Sequence, residues 1–180
     1  MNNHGDVWIS TVLYTLIGLA LVGSLVAMVN PEVARLKDKA IIEQTVQSLN
    51  VLDDTIIEAR KATGTRLNYI ISLDKGNLII DSANEAIYWQ MDSRYQFSEK
   101  DQTMNLTLTN MRATTRALGG LWNVTLILDY KGYGLNITAD GRKEAKTLSP
   151  SSLPYSIWIK NNGISKGAGS KLQNIDFSTE

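Results

Sequence analysis

The sequence predicts an α+β chain: a long N-terminal hydrophobic helix followed by an antiparallel β-sandwich. Three observations carry that prediction. Val7 to Val29 is a run of 23 residues without a charge. From Glu32 to about Lys61 the apolar residues recur at helical spacing. After Gly64 the period changes to two, the signature of half-buried strands. The predicted boundaries are a polar N-terminus or short leader at 1–6, a helix at 7–62 and a β-sandwich at 65–180.

The uncharged run comes first. At ~1.5 Å per helical residue it spans roughly 34 Å, enough to cross a hydrocarbon core of ~30 Å. A secretory signal has a basic start and a shorter apolar region, whereas "MNNHGD" contains no Lys or Arg. Small residues, among them Gly18, Gly23 and Ala27, punctuate the run. In apolar surroundings such residues let helix backbones approach closely. Trp8 stands at the start of the run, where an amphipathic ring suits a membrane interface.

Pro31 lacks an amide hydrogen, and its ring crowds the carbonyl of Ala27. Either the helix kinks here, or it ends and a second helix starts with Asn30 as cap and Pro31 in the first turn. Beyond it, Val33, Leu36, Ala40, Ile42, Val46, Leu49, Leu52, Ile56 and Ala59 form one apolar stripe, widened by Ile41, Val51 and Ile57. Thr63-Gly64 supplies a stop. Arg35, Lys37 and Lys39 on the carboxyl side of the run would by themselves place the following domain in the cytoplasm. The domain reads as extracellular, so charge alone does not set the orientation.

In the β-region, "RLNYIISLDKGNLIIDS" reads as two strands joined at Asp74-Lys75-Gly76-Asn77. Alternation continues in "EAIYWQM", "TMNLTLTNM", "LWNVTLILDY", "YGLNITADG" and "LPYSIWIKNNG", with turns at Asp140-Gly141 and Asn161-Asn162-Gly163. "KLQNIDFS" completes a set of seven or eight strands. The segments "GRKEAKTLSPSSLP" and "GISKGAGSK" read as loops. Trp89 and Trp122 fall on inward phases. Trp158 falls out of phase, as an exposed contact or in a strand covered on both sides.

Three sequons occur, at Asn105, Asn123 and Asn136. Each Asn and its Thr lie on the polar phase of a predicted strand, where a glycan would face solvent. The polar half of any alternating strand is also rich in Asn and Thr.

The chemistry of catalysis is largely excluded. The chain has 18 basic and 18 acidic residues and no long run of one sign, which argues against nucleic acid as a partner. It has no cysteine, and its one histidine, His4, precedes the apolar run. Thiol catalysis and a Ser-His-acid arrangement in the β-region are therefore ruled out. "GAGSKL" lacks the order of a phosphate-cradling loop. Asp53 and Asp54 fall on adjacent helix faces and are expected to point apart. The reading is of a chain that is not an enzyme, with no cofactor and no metal site.

The layout of a short polar leader ending in Gly5, an apolar helix, a proline, an amphipathic helix and a β-domain resembles the archaeal type IV pilins and the related archaellins. The resemblance implies cleavage by a prepilin peptidase between Gly5 and Asp6 within "HGDV", with His4 where a basic residue is usual. It also implies insertion in the cytoplasmic membrane before assembly and a dedicated assembly machinery. The product would be a homo-oligomeric helical filament at the cell surface, with Gly18, Gly23, Ala27 and Pro31 in helix packing. The alternative from a different class is a monomeric, single-pass membrane-anchored protein whose extracellular β-sandwich binds a partner or ligand.

Overall fold

The structure, a computed structural model, describes residues 4–106, 110–167 and 170–179. One helix, α1 (His4–Arg60), runs through Pro31 without interruption. Among the described residues ten strands follow: β1 (Arg66–Ile71), β2 (Asn77–Asp81), β3 (Ala86–Ser93), β4 (Thr103–Asn105), β5 (Met111–Leu118), β6 (Leu121–Asp129), β7 (Leu135–Ala139), β8 (Lys146–Leu148), β9 (Tyr155–Gly167) and β10 (Ser170–Thr179). They form a four-stranded sheet, β1-β9-β10-β7, and a six-stranded sheet, β4-β5-β6-β3-β2-β8. The chain divides into two units, Met1–Lys37 and Asp38–Glu180, and each is described by itself.

The second unit has one core. Within it, α1 buries Asp38, Ile42, Thr45, Leu49, Leu52, Ile56 and Ala59, alternating steps of four and three that keep one helical face inward. The apolar stripe expected from Val33 is therefore only partly used. Val33, Leu36 and Ala40 are exposed, as are Val51 and Ile57. Strands of both sheets supply the rest of the core: Ile87, Trp89, Val124, Leu126 and Leu128 from one, Ile137, Ile159 and Phe177 from the other, all inaccessible. The inward phases read from the sequence for β3, β6, β7 and β9 hold, and Trp122 is partly buried against this core. Asp38 is held by two bonds, from Lys75 Nζ at 2.6 Å and from the Arg94 amide at 2.7 Å.

Several sequence expectations are corrected. The strands around Asp74–Asn77 are not a hairpin: β1 pairs with β9 in one sheet and β2 with β3 and β8 in the other. Gly76 serves a close approach instead. Its φ is +80°, and a Cβ there would lie 2.8 Å from the Gln90 carbonyl oxygen, 2.8 Å from the Trp89 ring and 2.9 Å from Met91 Cβ. Gly76→Ala is expected to cost roughly 2–4 kcal/mol in chemical denaturation, from strain plus overpacking. Gly64→Ala is the control: it shares a left-handed φ of +86° but has open space around it, and should cost about 1 kcal/mol.

Asn161-Asn162-Gly163 is not a turn but part of β9, and "GISKGAGSK" is not a simple loop, since β9 reaches Gly167 and β10 starts at Ser170. The long segment before Tyr155 contains β8. "MRATTRAL", not anticipated as a strand, is β5, with Met111, Ala113 and Thr115 buried. Its inward residues are mostly small or polar, so the apolar alternation is faint. In "TMNLTLTNM" the strand covers Thr103–Asn105 and Met104 is exposed rather than inward; Leu108 lies outside the described residues. The sheets are also not wholly antiparallel, because β7 pairs in parallel with β10. The Asp140-Gly141 turn is as expected: both residues have positive φ, 49° and 74°, and Ala139 and Arg142 exchange backbone bonds of 2.9 Å.

Candidate functional site

Two features stand out: the apolar segment of α1 and a cleft in the second unit. From Trp8 to Val29 the helix packs against nothing in its own unit. Its large side chains are 41% to 75% exposed, values an isolated helix gives, and the segment is long and apolar enough to cross a membrane by length and composition. A Cβ added at Gly18 or Gly23 would meet nothing within 4 Å, so both glycines present bare backbone to whatever lies alongside. Ala27 and Pro31 are exposed as well. Two hydroxyls in the segment are satisfied within the helix, Thr15 Oγ1 donating to the Thr11 carbonyl and Ser24 Oγ to that of Ala20, each at 2.8 Å. Intrahelical satisfaction of this kind suits a medium that offers no hydrogen bonds. Gly5 and Asp6 lie in the first turns of α1.

The cleft has a volume of about 690 Å³. One wall is α1, through Asp53, Asp54 and Ile57; the others come from the end of β4, the start of β5 and the segment after β6. The two aspartates do sit on different faces, Asp53 buried and Asp54 exposed, yet both line this one cleft. Asp53 accepts a 2.7 Å bond from the buried Tyr130 hydroxyl. Across the cleft Arg112 pairs with Asp129, whose other oxygen accepts from the Lys131 amide at 2.9 Å. Asp54, Asn105 and the Lys131 ammonium have no side-chain hydrogen-bond or ion-pair partner among the described residues. Tyr133 is 53% exposed at the rim.

Burial raises the Asp53 carboxyl above its ordinary 3.8, against the lowering effect of the Tyr130 bond. A folded-state value above the unfolded one means that folding favours the protonated form. The resulting stability is present below 3.8 and is lost as pH rises through the raised value. Wild type should therefore gain thermal stability relative to Asp53→Asn as pH falls toward about 4. Melting curves of both proteins across the acid range check this; parallel curves would count against it.

The three sequon asparagines differ. Asn105 is exposed on β4, while its partner Thr107 lies outside the described residues. Asn123 Nδ2 donates to Asp92 at 2.9 Å, and Asn136 Nδ2 donates to Asn174 at 2.6 Å, so both amides are engaged across strands. Trp158 is half-buried beneath the Arg66 guanidinium, 4.1 Å from the ring centroid. Sequence reasoning missed the cleft because its walls come from segments that alternation does not connect. Among the described residues no three His, Asp or Glu side chains converge as metal ligands.

No protein-family model matches the chain, and neither the curated proteins nor the solved structures provide a match.

Proposed function

We propose that this chain is a structural subunit of an extracellular type IV pilus-like filament. The N-terminal helices bundle in the filament core, the β-regions form its outer surface, and the filament serves adhesion or motility. The observation that carries the reading is the apolar surface from Trp8 to Val29, which no part of its own unit covers. Each of its large side chains gains on the order of 1.5 kcal/mol or more on full burial. Once drawn from lipid, such a segment is stable only against its own kind, and contacts between like subunits that do not close on themselves propagate as a helix. Bare backbone at Gly18 and Gly23 supports close helix approach.

In the same reading the subunit waits in the cytoplasmic membrane before assembly, and a prepilin peptidase cuts between Gly5 and Asp6. The helix bends at Pro31, where the Ala27 carbonyl lacks its donor. The two sheets stack as a sandwich, and glycans at Asn105, Asn123 and Asn136 decorate the outer surface.

Electron microscopy of material sheared from cells tests the proposal. Filaments containing this chain are expected, and N-terminal sequencing of them should begin at Asp6. The rival is a single-pass anchor with an external binding domain, favoured by the match between a 23-residue apolar run and the thickness of a bilayer. Recovery of the chain only as a detergent-solubilised monomer would decide for that rival.

A further inference from the structure

We propose that the cleft beside Asp54 is a saccharide-binding site. The inference stands on the second unit alone and holds whether or not the chain polymerises. The cleft, at about 690 Å³, is within the range of small-ligand pockets. Its charges nearly cancel: three carboxylates, of Asp53, Asp54 and Asp129, face one guanidinium and one ammonium. Two of those carboxylates are already engaged, Asp53 by Tyr130 and Asp129 by Arg112. An anion would meet the carboxylates, and a metal ion would lack a converging ligand set among the described residues. A hydrophobe would leave the cleft's polar groups unpaired.

What the cleft offers, among the described residues, is a short set of uncommitted hydrogen-bonding groups of both kinds. The Asp54 carboxylate accepts, the Lys131 ammonium donates and the Asn105 amide does both. Beside them stands the exposed ring of Tyr133. Adjacent hydroxyls of a sugar pair with a carboxylate, an amide or an ammonium, and the C–H face of the ring lies on an aromatic side chain. A neutral polyol uses every one of these groups without burying a net charge.

The saccharide has two sources. It is free, as part of another surface's glycan, or it is carried by the chain on Asn105, which begins a sequon in the sequence and itself lines this cleft. In the second case a C–N bond joins Asn105 Nδ2 to the anomeric carbon of a phosphate-activated sugar donor; the amide loses a proton and the donor its phosphate leaving group.

The experiment separates the sources. The full chain, made in a host without N-glycosylation and held in a detergent without a sugar headgroup, is mixed with the methyl glycosides of mannose, glucose, galactose and N-acetylglucosamine. Saturation-transfer NMR reads contact. In parallel, intact mass is measured on chain from its native cells, before and after enzymatic deglycosylation. For a free ligand, at least one glycoside shows transfer with a Kd on the order of 1 mM. Tyr133→Phe then retains binding, while Tyr133→Ala and Asp54→Ala each weaken it about tenfold, with unchanged circular dichroism. For a carried ligand, no glycoside binds, but the native chain has a sugar mass that maps to Asn105, and removing it shifts the Tyr133 ring resonances. The proposal is overturned if neither signal appears, if binding survives both alanine substitutions, or if a sugar on Asn105 leaves Tyr133 undisturbed.

Discussion

A chain beginning at Asn30 is expected to be soluble without detergent and to keep its β-region, whereas the full chain sediments with membranes or needs detergent. No residue before Ile41 joins the cluster of apolar side chains that forms the core. Removing residues 1–29 therefore takes away apolar surface and leaves that core entire, from Ile42 to Phe177. The new start also has favourable local chemistry. Asn30 is a good helix cap and Pro31 is well placed in a first turn. The retained helix keeps Asp38, with its bonds from Lys75 and from the Arg94 amide. Val33 and Leu36 remain exposed, but two isolated apolar side chains do not make a patch. The difference in partition should be many orders of magnitude, since each buried large side chain lost contributes on the order of 1.5 kcal/mol or more. Carbonate extraction of membranes compares the two chains, and sedimentation and circular dichroism follow the shorter one. A short chain that aggregates or lacks β signal would mean that the second unit depends on the segment removed.

The layout of the fold was legible where one physical signal dominated. An uncharged run leaves no other reading than an apolar helix, and alternation exposed the inward faces of β3, β6, β7 and β9 because Ile, Leu, Val and Trp fill them. Legibility failed where a residue type served a different purpose from its usual one. Gly76 resembles a hairpin glycine but is needed for its approach to Trp89. Asn161 resembles a turn residue but is a buried donor. Ala113 and Thr115 face inward without an apolar signal. Strand pairing was the least legible property. Nothing local in "NLIID" says that its neighbours are β3 and β8, and nothing in "LNITA" says that it will lie parallel to β10. The cleft was illegible for the same reason: Asp54, Asn105 and Lys131 are distant in sequence, and only the sheet order and the packing of α1 bring them to one opening.

Asn161 is the position where a single polar change should cost the second unit most. The last four carbonyls of any α-helix lack intrahelical donors. At the end of α1 the sheet serves those of Ala59 and Arg60, and the Lys61 amide that of Glu58. Asn161 Nδ2 donates to the Ala59 carbonyl at 2.9 Å and to that of Ala62, just past the helix, at 3.0 Å; Gln173 Nε2 donates to that of Arg60 at 2.6 Å. The Asn161 side-chain oxygen accepts from the Gly163 amide at 2.9 Å. Its backbone holds the chain leaving the helix, accepting from the Gly64 amide and donating to the Thr65 carbonyl, both at 2.9 Å. The residue is inaccessible to solvent, so water cannot replace what the side chain provides. Asn161→Ala removes the side-chain donor to the Ala59 carbonyl and the side-chain acceptor of the Gly163 amide, and opens a small void; the Ala62 carbonyl keeps its bond from the Thr65 amide. The expected loss is about 3–5 kcal/mol, a fall in Tm of roughly 10 °C for a unit of this size. Asn161→Asp keeps the shape but puts an acceptor where the donor stood, facing carbonyl oxygens. It should be at least as damaging at neutral pH and should recover in part once the carboxyl is protonated, because the hydroxyl can then donate. Asn162→Ala, next in the strand and exposed, should change stability by less than about 0.5 kcal/mol. Urea unfolding of the chain beginning at Asn30 measures all three. A loss below about 1 kcal/mol for Asn161→Ala would show that the helix end does not depend on this side chain.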